Sequence, residues 1–288
     1  MQNFLSFENR AHKLRSFITF SLFVVAHLLL FLFGLRVFAQ RFWDRELATG
    51  ALAIVITFFS CHLIFCFGEF IFHRYLLHTI VFQHLRFLAN KHRTHHAITR
   101  IECASSDVND QMLVRSHYPI HEVAQDVSAT FPIWSLFVFL AGFTPLLAYL
   151  SWCFPSVPVM LGAYPALALT YYLYELVHVV HHEPYAEGWE TRINGRLFGR
   201  FWREIYGFHQ AHHANTDCNM NIAGFFGVPL ADLAFGTYRQ PKDLLLDGSF
   251  VSEQSISGLT PKPMWFISWL DRLANKREAR ILRSLHKA

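Results

Sequence analysis

Four apolar runs limit what this chain can fold into more than any other feature: Ser16 to Phe38, Gly50 to Phe72, Ala129 to Trp152 and Val159 to Val180. Each is long enough to cross a bilayer as a helix, which takes about 20 residues. Hydrophobic residues make up 53% of the 288-residue chain, more apolar material than one soluble core of this size would hide. The expected architecture is therefore all-α and integral to a membrane, with four transmembrane helices.

Two of these runs pass directly into histidine-rich segments. The second leads into Glu69-Phe-Ile-Phe-His73-Arg74-Tyr75-Leu-Leu-His78, soon followed by His92-Arg-Thr-His95-His96. The fourth leads into His178-Val-Val-His181-His182, and His209-Gln-Ala-His212-His213 comes later. Residues three or four apart share a helix face, so His92, His95 and His96 are expected to converge, as are His178 with His182 and His209 with His212 and His213. His73 and His78 stand five apart and diverge by about 140° on an ideal helix, so they are expected to reach different metals unless the helix distorts there. One set per box gives ten candidate ligands: His73, His78, His92, His95, His96, His178, His182, His209, His212 and His213. Ten imidazoles exceed what one ion takes, and neutral imidazole suits iron, zinc, copper and nickel alike.

Other polar residues within the runs follow the same faces. Glu69 is expected to orient a ligating imidazole through its other ring nitrogen, and Glu175 shares a face with Tyr171, His178 and His182. His62 and His27 stand alone in apolar spans and are read as packing residues. His84 and His181 are left out because their boxes are complete without them. His117 and His121 form a further candidate pair, but Pro119 between them disturbs a regular helix.

The N-terminal arm, residues 73–128 and everything after His182 together hold 22 of the 25 lysines and arginines. By the positive-inside tendency both termini and all four boxes face the cytosol, in a bacterial cytoplasmic membrane or an endoplasmic reticulum membrane equally. The net charge of +4 comes without a basic stretch interleaved with stacking aromatics, so nucleic acid is not an expected partner. Five unpatterned cysteines do not suggest a disulfide framework.

Together the boxes resemble the fatty acid hydroxylase superfamily of membrane non-haem di-iron enzymes, which includes sterol desaturases and fatty acid 2-hydroxylases. Glu69-Phe-x-x-His73-Arg74-Tyr75-Leu76-x-His78 is similar to the first box of the 2-hydroxylase branch, and Tyr174-Glu175-Leu176-x-His178 to the start of its third. Asp232-Leu-Ala-Phe235-Gly236-Thr237-Tyr238 resembles the segment after the last box, though Ala231 stands where the family has tryptophan. The resemblance covers roughly Ile54 to Arg239. It implies a cytosolic helical cap holding two iron ions, with zinc in a mis-metallated chain, and O2 as co-substrate. The implied reaction is hydroxylation of a fatty acyl, sphingolipid or similar apolar substrate, with desaturation of an acyl chain, sterol or carotenoid as the alternative. No cytochrome b5-like module lies within the 288 residues, so electrons are expected from a separate cytochrome b5-like or ferredoxin/reductase donor. Asp232 becomes a candidate support for a ligand, or a helix cap. A zinc hydrolase would not need ten imidazoles, and a histidine-rich metal transporter would place them along a pore at mid-bilayer.

Elsewhere, Met1 to Arg15 reads as an interfacial arm and Thr99 to Gln111 as a polar loop, with Ile193 to Tyr206 as an amphipathic piece. Residues 1–240 are expected to form the membrane domain. Residues 241–288 are expected to form a linker and an amphipathic surface helix, with Trp265, Phe266, Trp269, Leu270 and Leu273 on one face and basic residues beside them for an anionic leaflet.

Overall fold

The computed structural model describes residues 2–105 and 111–285, with side chains from residue 16 onward. The side chains of the N-terminal arm and residues 106–110 of the expected polar loop lie outside the described residues. The chain is mostly helical and divides into two compact units, residues 1–65 with 131–173 and residues 66–130 with 174–288.

The first unit contains α1 (Gln2–Phe38), α2 (Gln40–Leu47), most of α3 (Ala51–Phe72), α6 (Ser135–Cys153) and the N-terminal part of α7 (Val159–His181). Its core joins Val24 and Leu35 of α1 to Leu136, Leu140 and Leu147 of α6 and to Met160, Tyr164 and Leu167 of α7. Gly162 allows α7 to approach α3, since a Cβ there would stand 2.6 Å from the Thr57 methyl. Buried Glu46 accepts hydrogen bonds from the Leu161 amide at 2.9 Å and from the Ser151 hydroxyl, satisfying a free amide in the first turn of α7.

Among the described residues, three helices are long and apolar enough to cross a membrane: Ser16–Phe38, Ala51–Leu77 and Ser135–Cys153. Exposed Leu22, Leu29, Phe33, Leu52, Ile64 and Trp152 suit lipid-facing sides, and these spans mark the chain as a membrane protein. α7, the expected fourth span, forms a helix over the expected residues. Its apolar character is diluted by tyrosines, Glu175 and histidines, and it is buried or half-buried from end to end.

The second unit holds the C-terminal end of α3, a π-helical turn (His73–Leu77) and α4 (Arg86–Ile98), then α5 (Val123–Ala129) and the end of α7. It continues with α8 (Glu190–Ile193), α9 (Gly199–Ala214), α10 (Leu230–Phe235), α11 (Glu253–Ser257) and α12 (Trp265–Leu285). The all-α expectation is corrected here by a small antiparallel sheet in the order β1 (Ile101–Ser105), β2 (Gln111–Ser116), β3 (Phe250–Ser252). Ile101 pairs with Ser116 and Met112 with Val251. Much of the expected polar loop is therefore strand, because Val114 and Val251 bury against Tyr118, Trp189 and Leu245. The expected amphipathic piece breaks into α8 and α9 around Phe198, a non-glycine residue at φ 64°. The expected shared face on α12 also divides. Phe266 and Leu270 pack inward beside Ile267 and Phe70, whereas Trp265, Trp269 and Leu273 are exposed. All five cysteines are free.

Candidate metal centre

Within the second unit the ten histidines form two groups of five. His73, His78, His92, His96 and His212 make the first, and His95, His178, His182, His209 and His213 the second. In each, one ligand atom per residue lies within 4.8 Å of every other. Each group could hold a metal ion.

The distribution between groups follows the distorted-helix alternative at His73 and His78 and departs from the expectation at the second and fourth boxes. His73 and His78 join the same cluster, because the chain leaves α-geometry at His73. Its carbonyl accepts the His78 amide at 3.1 Å, five residues on, which brings the two rings to one side with centroids 5.0 Å apart. Conversely, the three histidines of the second and fourth boxes do not stay together. His92 and His96 serve the first cluster and His95 the second, while His209 and His213 serve the second and His212 the first. Each of these boxes thus supplies both clusters. The clusters adjoin where His96 stacks on His213 with centroids 4.2 Å apart.

Backbone carbonyls fix half of the rings. Nδ1 of His73 donates to Met220 O at 2.6 Å and that of His212 to Cys218 O at 2.7 Å. In the second cluster Nδ1 of His178, His182 and His213 donates to Ala129 O, Tyr118 O and Thr99 O at 3.0, 2.7 and 3.0 Å. A proton committed to Nδ1 leaves Nε2 as a bare lone pair, which is the form a metal binds.

Those lone pairs face one another. Nε2 of His92 lies 2.9, 3.2 and 3.1 Å from Nε2 of His73, His78 and His96, and a single N–H can satisfy only one of these contacts. Nε2 of His209 stands between those of His182 and His213, at 3.1 and 3.2 Å. Both nitrogens of fully buried His95, and Nε2 of buried His178, have no hydrogen-bond partner. Each unpaired buried polar atom costs about 1–3 kcal/mol, and a cation in each cluster would satisfy one bare nitrogen lone pair per ring. Ligands at right angles around an ion with bonds of about 2.0–2.1 Å stand about 2.8–3.0 Å apart, and tetrahedral ones about 3.3–3.4 Å. The observed spacings of 2.9–3.2 Å run from the right-angle value toward the tetrahedral one.

The protonation states agree. Burial, reinforced by neighbouring imidazoles, holds His92, His95, His96, His209 and His213 well below the ordinary histidine range. Burial likewise lowers His182 to about 3 and His212 to about 4. All seven are neutral at physiological pH, as ligands must be.

The acidic residues act at one remove. Glu69 was expected to bond a ligating imidazole. Its carboxylate instead accepts the amides of Ile222, Ala223 and Gly224 at 2.6, 2.9 and 3.0 Å. Asp232 accepts the amides of Met220 and Asn221 at 2.9 and 2.7 Å and the Thr237 hydroxyl at 2.6 Å. Burial pushes its carboxyl upward, opposed by these hydrogen bonds. Two carboxylates therefore hold the Met220–Gly224 segment, whose Met220 carbonyl orients His73. Asp232 lies inside α10, two residues after its first residue Leu230, and is not its N-cap. Glu175 is buried on α7, three residues before His178. His117, His121 and His84 are exposed and belong to neither cluster, and His62 bonds Thr170 in the first unit. His181 is buried with its ring 5.0 Å from that of His209, yet contributes to neither group.

The carbonyls of Thr99, Tyr118, Ala129, Cys218 and Met220 are the functional groups that sequence reasoning misses. A backbone acceptor carries no residue signature. Comparison with models of protein families, with curated proteins and with solved structures finds no match to this chain.

Proposed function

We propose that this chain is a membrane-bound non-haem di-iron oxygenase of the fatty acid hydroxylase type, inserting a hydroxyl group into a lipid acyl chain or similar apolar substrate. The single observation that carries this reading is the pair of adjoining, all-imidazole clusters with five buried or half-buried nitrogen donors each. A single-ion hydrolytic site needs about three protein ligands and a carboxylate base, whereas the carboxylates here are engaged with backbone amides. A transport path needs ligands spread along a pore, and these converge in one compact unit.

In this reading His73, His78, His92, His96 and His212 hold one iron and the other five histidines hold the second. Two irons so held supply reductive activation of O2 and oxidation of an unactivated C–H bond. The protein's part is geometric and electrostatic. Carbonyl acceptors aim Nε2 of five rings inward, and burial keeps the imidazoles neutral and limits the water around a reactive centre. The chain's membrane character supports an apolar substrate: His73 directly follows α3 and His178 lies within α7, so the ligands continue from apolar helices. We further read α7 as a fourth crossing and the histidine-bearing unit as cytosolic by the distribution of lysine and arginine, which gives a separate cytosolic electron donor access.

The test is expression in a lipid-defined host under labelled oxygen, with His95→Ala as the inactive control. A lipid carrying a labelled hydroxyl supports the proposal. A new double bond without labelled hydroxyl would replace hydroxylation by desaturation, and no lipid change would remove the oxygenase reading.

A further inference from the structure

Helix α12 sends two carboxylates to residues that neighbour members of the first histidine cluster. Asp271 forms a two-pronged ion pair with Arg74, accepting from Nε at 2.8 Å and from a terminal guanidinium nitrogen at 2.9 Å. The same carboxylate accepts the Tyr75 hydroxyl at 2.9 Å. Arg74 and Tyr75 are the second and third residues of the π-helical turn, and that turn is what brings His73 and His78 together. Arg74 also donates to Asp217 O at 2.9 Å, next to the Cys218 carbonyl that fixes His212. One carboxylate thus holds a guanidinium that reaches both the His73–His78 turn and the His212 support.

One helical face along, Glu278 accepts from Arg93 at 2.5 Å. Arg93 follows His92 and donates to the His78 carbonyl at 2.7 Å. Asp271 and Glu278 are seven residues apart and point to the same side of α12. The carbonyls that fix the second cluster belong to Thr99, Tyr118 and Ala129, none of them a partner of Asp271 or Glu278.

We propose that Asp271 is a positioning residue for the first cluster: by pinning Arg74 and Tyr75 it holds the π-helical turn in the form that lets His73 and His78 share one metal. The Asp271 contact is then a condition for loading that site and not the other. This inference rests on the reading that both clusters bind metal. A carboxylate and guanidinium 8% exposed on the arginine side form a pair whose one-sided removal leaves an unpaired charge beside the turn.

The experiment loads full-length wild type, Asp271→Ala and Asp271→Glu anaerobically with Fe(II), counts bound ions, and repeats the titration with Co(II) as a spectroscopic probe. Wild type is expected to take two ions. Asp271→Ala is expected to keep one at wild-type affinity and to bind the other at least about tenfold more weakly, the loss usual for residues behind a metal ligand. Asp271→Glu restores part of the second ion, and adding His178→Ala to Asp271→Ala removes the retained one. Two ions at wild-type affinity in Asp271→Ala, or parallel loss of both, would overturn the proposal. Fewer than two ions in wild type would overturn the two-site reading itself and this inference with it.

Discussion

The two histidine clusters share one ligand chemistry and differ in enclosure. All five members of the second are buried, on α4, α7 and α9 and, for His182, directly after α7, and three of their rings are fixed by carbonyls. The first has two half-buried members, His78 and His96, and includes a π-helical turn held from α12. One site is built into the ends of long helices, whereas the other depends on a local distortion and a long-range ion pair. The difference teaches that equal ligand counts need not mean equal metal retention: with both clusters loaded, the first is expected to exchange its ion faster.

The largest effect expected from breaking this comparison follows His178→Ala. Removing a buried ligand of the second cluster should lower labelled-oxygen incorporation by at least about a thousandfold, since catalytic groups that act as a unit fail together. Activity within tenfold of wild type would show that the second cluster is not needed for turnover. A smaller effect should appear on chelation. Metal release should be biphasic, with the first cluster losing its ion at least about tenfold faster because His78 and His96 are reachable from solvent. Equal rates would erase the asymmetry. Glu69→Gln should destabilise the fold by about 1–3 kcal/mol, because an amide nitrogen would replace one acceptor of the three loop amides. Its thermal midpoint should fall together with first-cluster affinity, and an unchanged midpoint would remove Glu69 from the support of Met220. The smallest effect belongs to His117→Ala and His121→Ala, which are exposed and outside both clusters. Stability should stay within about 0.5 kcal/mol and ion content unchanged.

Eight of the ten clustered histidines were legible because spacing of three and four survives in real helices, and His73 and His78 because they follow an apolar run. Their division between clusters was not, and the reason is angular. His92 and His96 differ by about 40° around α4, while His95 lies about 60° to the other side of His92, so the box forks instead of converging. The π-helical turn has no local signature at His73–Leu77, and the Asp271 carboxylate that grips it stands 197 residues from Arg74. Three strands were likewise hidden, because β2 pairs with Phe250–Ser252, far along the chain, and short strands gain stability only from such pairing. The apolar runs read clearly as helices. α7 shows that such a run can be enclosed by protein along its length, and its interspersed tyrosines were the available sign.

Metal stoichiometry in paired variants tests the central claim, two separate five-histidine sites, most directly. Anaerobically iron-loaded wild type should hold two ions per chain, with X-ray absorption showing nitrogen neighbours at about 2.0–2.2 Å and no sulfur. His73→Ala and His182→Ala should each retain one ion, and the double variant none. A wild-type chain holding a single ion, or either single variant losing both, would contradict it.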